Sequence, residues 1–250
     1  MAVHRTKGFV LRREDVRETS ILLTVYTKDY GKLKLLSKGV RTPEQRFISS
    51  YELFALDDIV FYERKKKGFF FLSQCELLDF FPKARESLER LSYASYFVEL
   101  LDLVTVQGEA GPELFTLLGN CLSFLSERAS PKRVARVFEI KLLSALGHMP
   151  RIRQCASCAV LLKEAKTKFS LTAGGLLCEK CVSGDRKAKP VLQGTINFMR
   201  HIEDLPFERL KHIKVSNKVG SEVERLLRGF ITYHLDVKPR SAEFITKVGV

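Results

Sequence analysis

At 250 residues, 45% hydrophobic and 28% charged, the chain has the composition of a folded globular protein with room for two or three domains. No run reaches the roughly 18 apolar residues of a membrane span, and Met1-Ala2-Val3-His4-Arg5 lacks a signal-peptide core, so a cytoplasmic protein with no membrane partner is expected. A net charge of +13 favours a polyanionic partner, nucleic acid before lipid because no basic amphipathic helix or lipid anchor is present; a merely solvated basic surface is the alternative.

The charge is unevenly placed. Fifteen Lys and Arg stand against eleven Asp and Glu in residues 1–80, eight against eight in 81–150, nine against three in 151–190 and ten against seven in 191–250. The first and third parts carry the strongest basic character, and the second is neutral.

From Lys7 to Phe80 the pattern is one of short strands. Lys7–Arg13 and Ser20–Thr27 are rich in β-branched and aromatic residues and are joined by a charged connection through Arg17. After the turn Asp29-Tyr30-Gly31, the alternation from Lys32 to Leu36 predicts Leu33 and Leu35 on one face and Lys32 and Lys34 on the other, as neighbouring cations on an outer sheet surface. Lys38 to Arg46 has no period and carries Lys38, Arg41 and Arg46 beside Gly and Pro, which predicts a loop. Phe54–Glu63 and Phe69–Leu78 are the last two strands, joined by Arg64-Lys65-Lys66-Lys67-Gly68.

Five strands with no helix long enough for a parallel crossover indicate a small antiparallel barrel, for which the OB-fold is the natural candidate. In that fold the middle strands and the loops between strands 1–2 and 4–5 face oligonucleotides. The candidate nucleic-acid contacts are therefore Arg12, Arg13, Arg17, Lys32, Lys34, Lys38, Arg41, Arg46, Arg64, Lys65, Lys66 and Lys67. Taken singly, each is as well explained by solvation. Tyr26, Tyr30 and Phe47 are candidates for base stacking or, Tyr26 above all, for the barrel core.

Pro82 ends the sheet region. Arg85–Val106 is apolar on nearly every side, which predicts a central or interface helix. Gly111-Pro112 opens a helix to about Glu127, and Ser130-Pro131 caps another that stops near Gly147; the three are expected to form a bundle. Beyond the cysteine-bearing part, Thr195–Ile202 predicts a short helix, and Ser216 caps a longer one to Leu235. Lys238-Pro239-Arg240-Ser241 is expected to end the regular pattern.

Two Cys-x-x-Cys knuckles, Cys155/Cys158 and Cys178/Cys181, are separated by nineteen residues, a spacing that suits one tetrahedral Zn2+ on four thiolates; disulfides or free thiols are the alternatives. Four sulfurs close the coordination sphere, so a structural zinc is expected. Cys75 and Cys121 fall in apolar runs and are read as small buried hydrophobes. There is no Gly-Lys-Ser/Thr phosphate loop and no His-Glu-x-x-His. The five histidines lack paired ligand spacing, and Asp57-Asp58 reads as a turn at a strand entry, so no catalytic residue is nominated.

Several stretches together resemble the RecO family of bacterial recombination mediators and DNA-repair proteins. They are Gly8-Phe9-Val10-Leu11 with Glu18-Thr19-Ser20, Tyr30-Gly31-Lys32-Leu33, Ser37 to Arg41, Leu91 to Tyr96, Phe138 to Leu143 with Leu146-Gly147, Ala173 to Leu177 with the four cysteines, and Lys238 to Ser241. The resemblance runs nearly the full length in the family's order. It implies an α+β protein with an N-terminal five-stranded OB-fold barrel, a helical bundle domain and a four-cysteine zinc module. The expected division is a DNA-binding barrel at 1–80, helical parts at 81–150 and 191–250, and the zinc module at 151–190. It further implies binding of single- and double-stranded DNA, strand annealing, and help in loading RecA. RecR and the acidic C-terminal tail of single-strand-binding protein are the implied protein partners, with a nucleoid-associated cytoplasmic location. The alternative is a helical scaffold in which the apolar helix around Tyr93 to Val104 receives a protein partner and the basic surface is incidental.

Overall fold

The computed structural model of the protein describes residues 2–16, 20–38, 49–62, 69–127, 129–162 and 167–250. They divide into two compact units, Met1–Pro131 with Pro239–Val250, and Lys132–Lys238.

The first unit is built on a closed barrel of β1 (Val3–Val16), β2 (Ser20–Thr27), β3 (Gly31–Ser37), β4 (Leu56–Tyr62) and β5 (Phe70–Asp79), in the order β1-β2-β3-β5-β4. β1 is long enough to serve two neighbours: its second half pairs with β2 and its first half with β4, and a register shift between Val10 and Arg12 marks the change. β3 meets β5 in parallel through Leu35–Phe70 and Leu36–Phe71, a departure from the all-antiparallel barrel expected, because closing the cylinder brings these two strands side by side in the same direction; the OB-like barrel itself is as expected. The interior is filled by Val10, Ile21, Leu23, Val25, Leu33, Leu35, Ile59 and Phe61, the inward set that period-two alternation demands.

Asp57 and Asp58 belong to β4 and not to a turn. Asp57 is fully buried on the same side as Ile59 and Phe61, and Asp58 faces out to a bidentate contact with Arg5. Phe54, two residues before this strand, is instead a buried left-handed turn residue whose N–H donates to the Val10 carbonyl at 2.7 Å.

The barrel's outer face is covered at one end by helices of the same unit. These are α1 (Pro82–Arg85), α2 (Leu88–Val104), α3 (Pro112–Ser126) and α7 (Arg240–Val248). Ser87 caps α2 by accepting from the Arg90 N–H at 3.2 Å. Phe9 packs on Phe115 at 4.8 Å between ring centroids, and Tyr26 donates its hydroxyl to the Gly111 carbonyl at 3.3 Å. Gly31 has φ 63°, and a Cβ there would lie 1.9 Å from the Glu109 carbonyl oxygen, so only glycine lets this turn meet the α2–α3 connection. Tyr93, Tyr96, Phe97, Val98, Leu100 and Leu101 of α2 are all buried, so the helix proposed as a docking surface for a partner spends its apolar side on its own unit.

The regular pattern does not end at Lys238-Pro239-Arg240-Ser241. α7 starts there, and its first amides are gripped by Glu99 of α2: the carboxylate accepts from the N–H groups of Arg240 and Ser241, each at 2.9 Å, and from the Ser241 hydroxyl.

The second unit holds α4 (Pro131–Ala145), α5 (Gln193–Asp204) and α6 (Asn217–His234), with a sheet of β6 (Lys168–Ser170), β7 (Gly175–Leu177) and β8 (Lys189–Pro190) in the order β7-β6-β8. α4 stops where expected: Gly147 takes a left-handed φ of 71° and the His148 N–H returns to the Leu143 carbonyl at 2.8 Å. Its buried Arg136 donates to Glu139 at 2.8 Å and lies 3.7 Å from Glu224 of α6, which in turn meets Arg228 at 2.8 Å. Among the described residues no helix is long and apolar enough to cross a membrane.

Candidate metal centre and nucleic-acid interface

Each knuckle is a tight turn. The Cys155 N–H donates to the Val160 carbonyl at 2.8 Å, and Ala159, in the left-handed region, returns its N–H to the Cys155 carbonyl at 2.9 Å. Cys178 accepts at its carbonyl from the N–H groups of Cys181 and Val182 at 3.1 and 3.0 Å. The antiparallel hairpin of β6 and β7 brings the knuckles together, and the Ala156 N–H bonds to the Leu176 carbonyl at 2.7 Å.

All four sulfurs lie within 4.8 Å of one another, and Cys158 Sγ is 3.8 Å from Cys178 Sγ. A tetrahedron with the bond lengths of a thiolate metal site has edges of ~3.8 Å, so the donor set fits a metal ion with no coordination position left open. Burial pushes the Cys155 thiol up, but the backbone N–H groups of Cys158, Cys178 and Ser157 outweigh it and bring it down to about 6. At Cys181 the Ser157 hydroxyl pulls down and the neighbouring cysteine sulfurs push it up to about 12, so the protein groups alone do not favour the thiolate at all four sulfurs.

A brace behind the second knuckle has no counterpart in any motif. Asp185 accepts from the hydroxyls of Ser170 and Thr172 and, at 2.8 Å, from the Lys187 N–H, which ties the segment after Cys181 to the start of the hairpin. These bonds, that from Ser170 first, hold its carboxyl below the usual range.

Of the candidate nucleic-acid contacts, Arg17, Arg41, Arg46, Arg64, Lys65, Lys66 and Lys67 lie outside the described residues, as does Phe47. Of the five that are described, Lys34 and Lys38 run toward the Ser37 end of β3, Lys32 sits at the opposite end beside the Gly31 turn where it pairs with Tyr26, and Arg12 and Arg13 pair with Thr24 and Leu23. Arg12, Thr24 and Lys34 are direct cross-strand partners in one row, with Lys38 just beyond Ser37. The line of pairs continues from Val16↔Ser20 through Ile21↔Ser37 and Leu36↔Phe71 to Tyr62↔Phe71. The strand ends that flank residues 17–19, 39–48 and 63–68 therefore follow one another around the barrel.

The expected pair of open cations on β3 is only half present. Lys32 is half-buried, and its ammonium donates to the Asp102 carbonyl at 2.6 Å and carboxylate at 3.1 Å, while the Gly108 N–H covers its strand edge by bonding to the Lys32 carbonyl. Helix α2 covers this end of the sheet, which a strand pattern alone does not reveal. Arg12 is half-exposed and 3.4 Å from the same Asp102, and Arg13 meets Glu52 at 3.2 Å. Lys38 is exposed, with its ammonium 5.3 Å from the centre of the Phe71 ring. Asp102 was missed because its partner lies seventy residues away in sequence. Tyr26 is buried under α3, and Tyr30 packs on the barrel core, so neither offers a free face for stacking.

Family models agree with this architecture. "Recombination protein O N terminal" matches residues 1–81, the barrel, and "Recombination protein O C terminal" matches residues 85–243. Proteins named "DNA repair protein RecO" are similar over almost the whole chain. That of Moorella thermoacetica is 32% identical over 98% of this chain and 91% of its own length. Those of Pelotomaculum thermopropionicum and Desulforamulus reducens are 31% and 29% identical over 100% and 99% of this chain, each across 96% of its own length. With both family models matched in order and relatives above 30% identity along its length, the chain belongs to the RecO family of DNA repair proteins.

Proposed function

We propose that this chain is a recombination mediator without turnover of its own. It binds single- and double-stranded DNA, anneals complementary strands, and helps load RecA together with RecR on DNA coated by single-strand-binding protein, whose acidic tail it engages. One observation carries the reading: strand ends flanking three cation-bearing segments succeed one another around the barrel, with Lys34 and Lys38 beside them. Cations so grouped neutralise phosphate and screen two strands from each other while leaving the bases free to pair, the requirement for annealing.

In this reading residues 1–80 are the DNA-binding domain, and 151–190 are a metal module between the helical parts 81–150 and 191–250. These functional segments differ from the compact units, because residues 81–131 fold with the barrel. Cys155, Cys158, Cys178 and Cys181 hold a Zn2+ whose task is to fix the hairpin, since a closed four-sulfur shell has no place for water or substrate.

The test is salt-titrated binding of a fluorescent oligonucleotide and annealing of complementary strands by the full chain and by Lys34→Glu/Lys38→Glu. Affinity should fall steeply with salt, and the double variant should bind at least tenfold more weakly with a shallower salt slope, each lost phosphate contact reducing it by ~0.7 on single strands. Salt-independent binding, or a variant that anneals like the parent, would sink the proposal.

A further inference from the structure

Within the second unit a groove of about 630 Å³ runs between residues 185–191, which follow the second knuckle, and one stripe of α6. That volume is typical of ligand clefts. The stripe is Glu222, Arg225, Leu226, Gly229 and Tyr233, spaced so that they share a helix face.

Its walls are cationic in effect. Asp185 is committed to Ser170, Thr172 and the Lys187 N–H, and Glu222 accepts from the Leu192 N–H at 2.9 Å and the Thr195 hydroxyl at 2.6 Å. With Asp185 engaged inside the fold and Glu222 shared between the fold and Arg225, whose guanidinium lies 3.8 Å from it, Arg186, Lys187 and Lys189 stand exposed on one side of the groove and Arg225 on the other.

The floor is aromatic and open. Tyr233 is 53% exposed, although it ends a series of packed rings: Phe169 on Phe230 at 6.3 Å, Phe230 on His234 at 4.1 Å and His234 on Tyr233 at 5.0 Å. His234 is itself fixed through Nε2, which donates to the Leu171 carbonyl at 2.7 Å. Gly229 is a mid-helix glycine whose Cβ would meet nothing within 4 Å, so no packing contact requires it. Glycine is a poor helix former, and here its effect is to leave the groove floor flat.

We propose that this groove is a second nucleic-acid contact, separate from the barrel, that takes a short stretch of single strand. One base stacks on Tyr233 over Gly229, and the flanking phosphates lie against Arg186, Lys187, Lys189 and Arg225. The inference rests on the DNA-binding reading above and adds a site to it. A pre-positioned aromatic face accepts any base, and cations on both sides match a backbone that carries one charge per nucleotide. The module that carries the metal then has a direct part in binding, because residues 185–190 hang from the second knuckle.

The experiment uses the full chain with zinc bound and an oligothymidylate of about 15 nucleotides. Tyr233→Ala and Gly229→Leu should each weaken binding about tenfold, the size of one lost base stack, with a thermal transition close to that of the parent chain, while Gly229→Ala, which leaves the floor nearly flat, should bind like the parent. A 5-iodouracil oligonucleotide should photo-crosslink to Tyr233. Unchanged affinity in both variants with no crosslink, while the parent chain still binds and Lys34→Glu/Lys38→Glu does not, would overturn the groove and leave the barrel reading standing. Failure of the parent chain to bind at all would overturn both. Protection of the groove residues by an acidic peptide but not by the oligonucleotide would assign the site to a protein and end the proposal.

Discussion

Asp57 lies inside the barrel with Ile59 and Phe61, and among the described residues its carboxylate meets no N–H or O–H donor, only the weak thiol of Cys75. Burial pushes its carboxyl up to about 7. Because the folded value is raised above the unfolded one, the protonated acid contributes stability that is fully present below pH ~4 and is lost as pH rises through about 7. The loss should be on the order of 2–4 kcal/mol. Asp57→Asn should abolish that slope: chemical unfolding of the two proteins should agree closely near pH 4 and separate by pH 8 in favour of the amide. Parallel pH profiles would show that the acid is ionised or solvated in the fold. The period-two alignment of Asp57 with Ile59 and Phe61 was a visible signal that it points inward; the adjacent Asp58 made the pair look like a turn.

At the scale of elements, α7 is held by a contact that sequence proximity hides. Its N-terminal amides carry the positive end of the helix dipole, and Glu99 supplies both the charge and the acceptors, from 141 residues away for Arg240. Glu99→Ala should cost about 1–2 kcal/mol, the scale of a lost cap in a partly buried setting. Hydrogen exchange should speed up over residues 240–248 and on the facing side of α2 while the strands stay protected. If exchange in α7 were unchanged, the carboxylate would not be what seats it.

The same contact shows where reading the chain reaches its limit. Lys238-Pro239-Arg240-Ser241 was visible as a motif, but proline was taken as a terminator when it is the residue just before the first turn of a helix, where its missing N–H would have had no helical partner. Local rules were enough for β2, β3 and the two knuckles, because alternation and Cys-x-x-Cys spacing are short-range properties. They failed for Lys32, whose partner Asp102 comes from a helix that covers the sheet. The pattern of α6 reads as a single apolar stripe, Val219, Val223, Leu226, Leu227, Phe230 and Ile231, of which Val223, Leu227, Phe230 and Ile231 are buried while Leu226 lines the open face with Gly229 and Tyr233.

On the scale of the whole molecule, the two units have different sources of stability. The barrel closes on itself around eight buried apolar side chains and is further covered by α1, α2, α3 and α7. Among the described residues of the 151–190 module, Cys155, Leu177 and Ala188 form a small buried cluster with Ala156, Leu162, Cys178, Cys181 and Val182 partly buried against it, and Ile152, Phe169 and Leu176 are buried besides. A core of that size cannot offset the conformational entropy of ordering some forty residues, at ~1–2 kcal/mol each for the backbone. On the proposed reading zinc ligation supplies the difference: a four-thiolate zinc contributes on the order of 10 kcal/mol of apparent binding energy, comparable with the whole stability of a domain. Cys178→Ser should therefore release the zinc and loosen residues 151–190. The effect should spread to α6 through the contact of Phe169 with Phe230. The barrel has no share in that ligation, so amides of Val10, Val25 and Leu35 should keep their protection when exchange is followed in the variant or after chelation. Oligonucleotide binding should then fall to the part carried by the barrel, with the salt slope reduced by the groove's contribution. Equal loss of protection in barrel and module would mean that the two units unfold as one, and that the metal stabilises the entire chain.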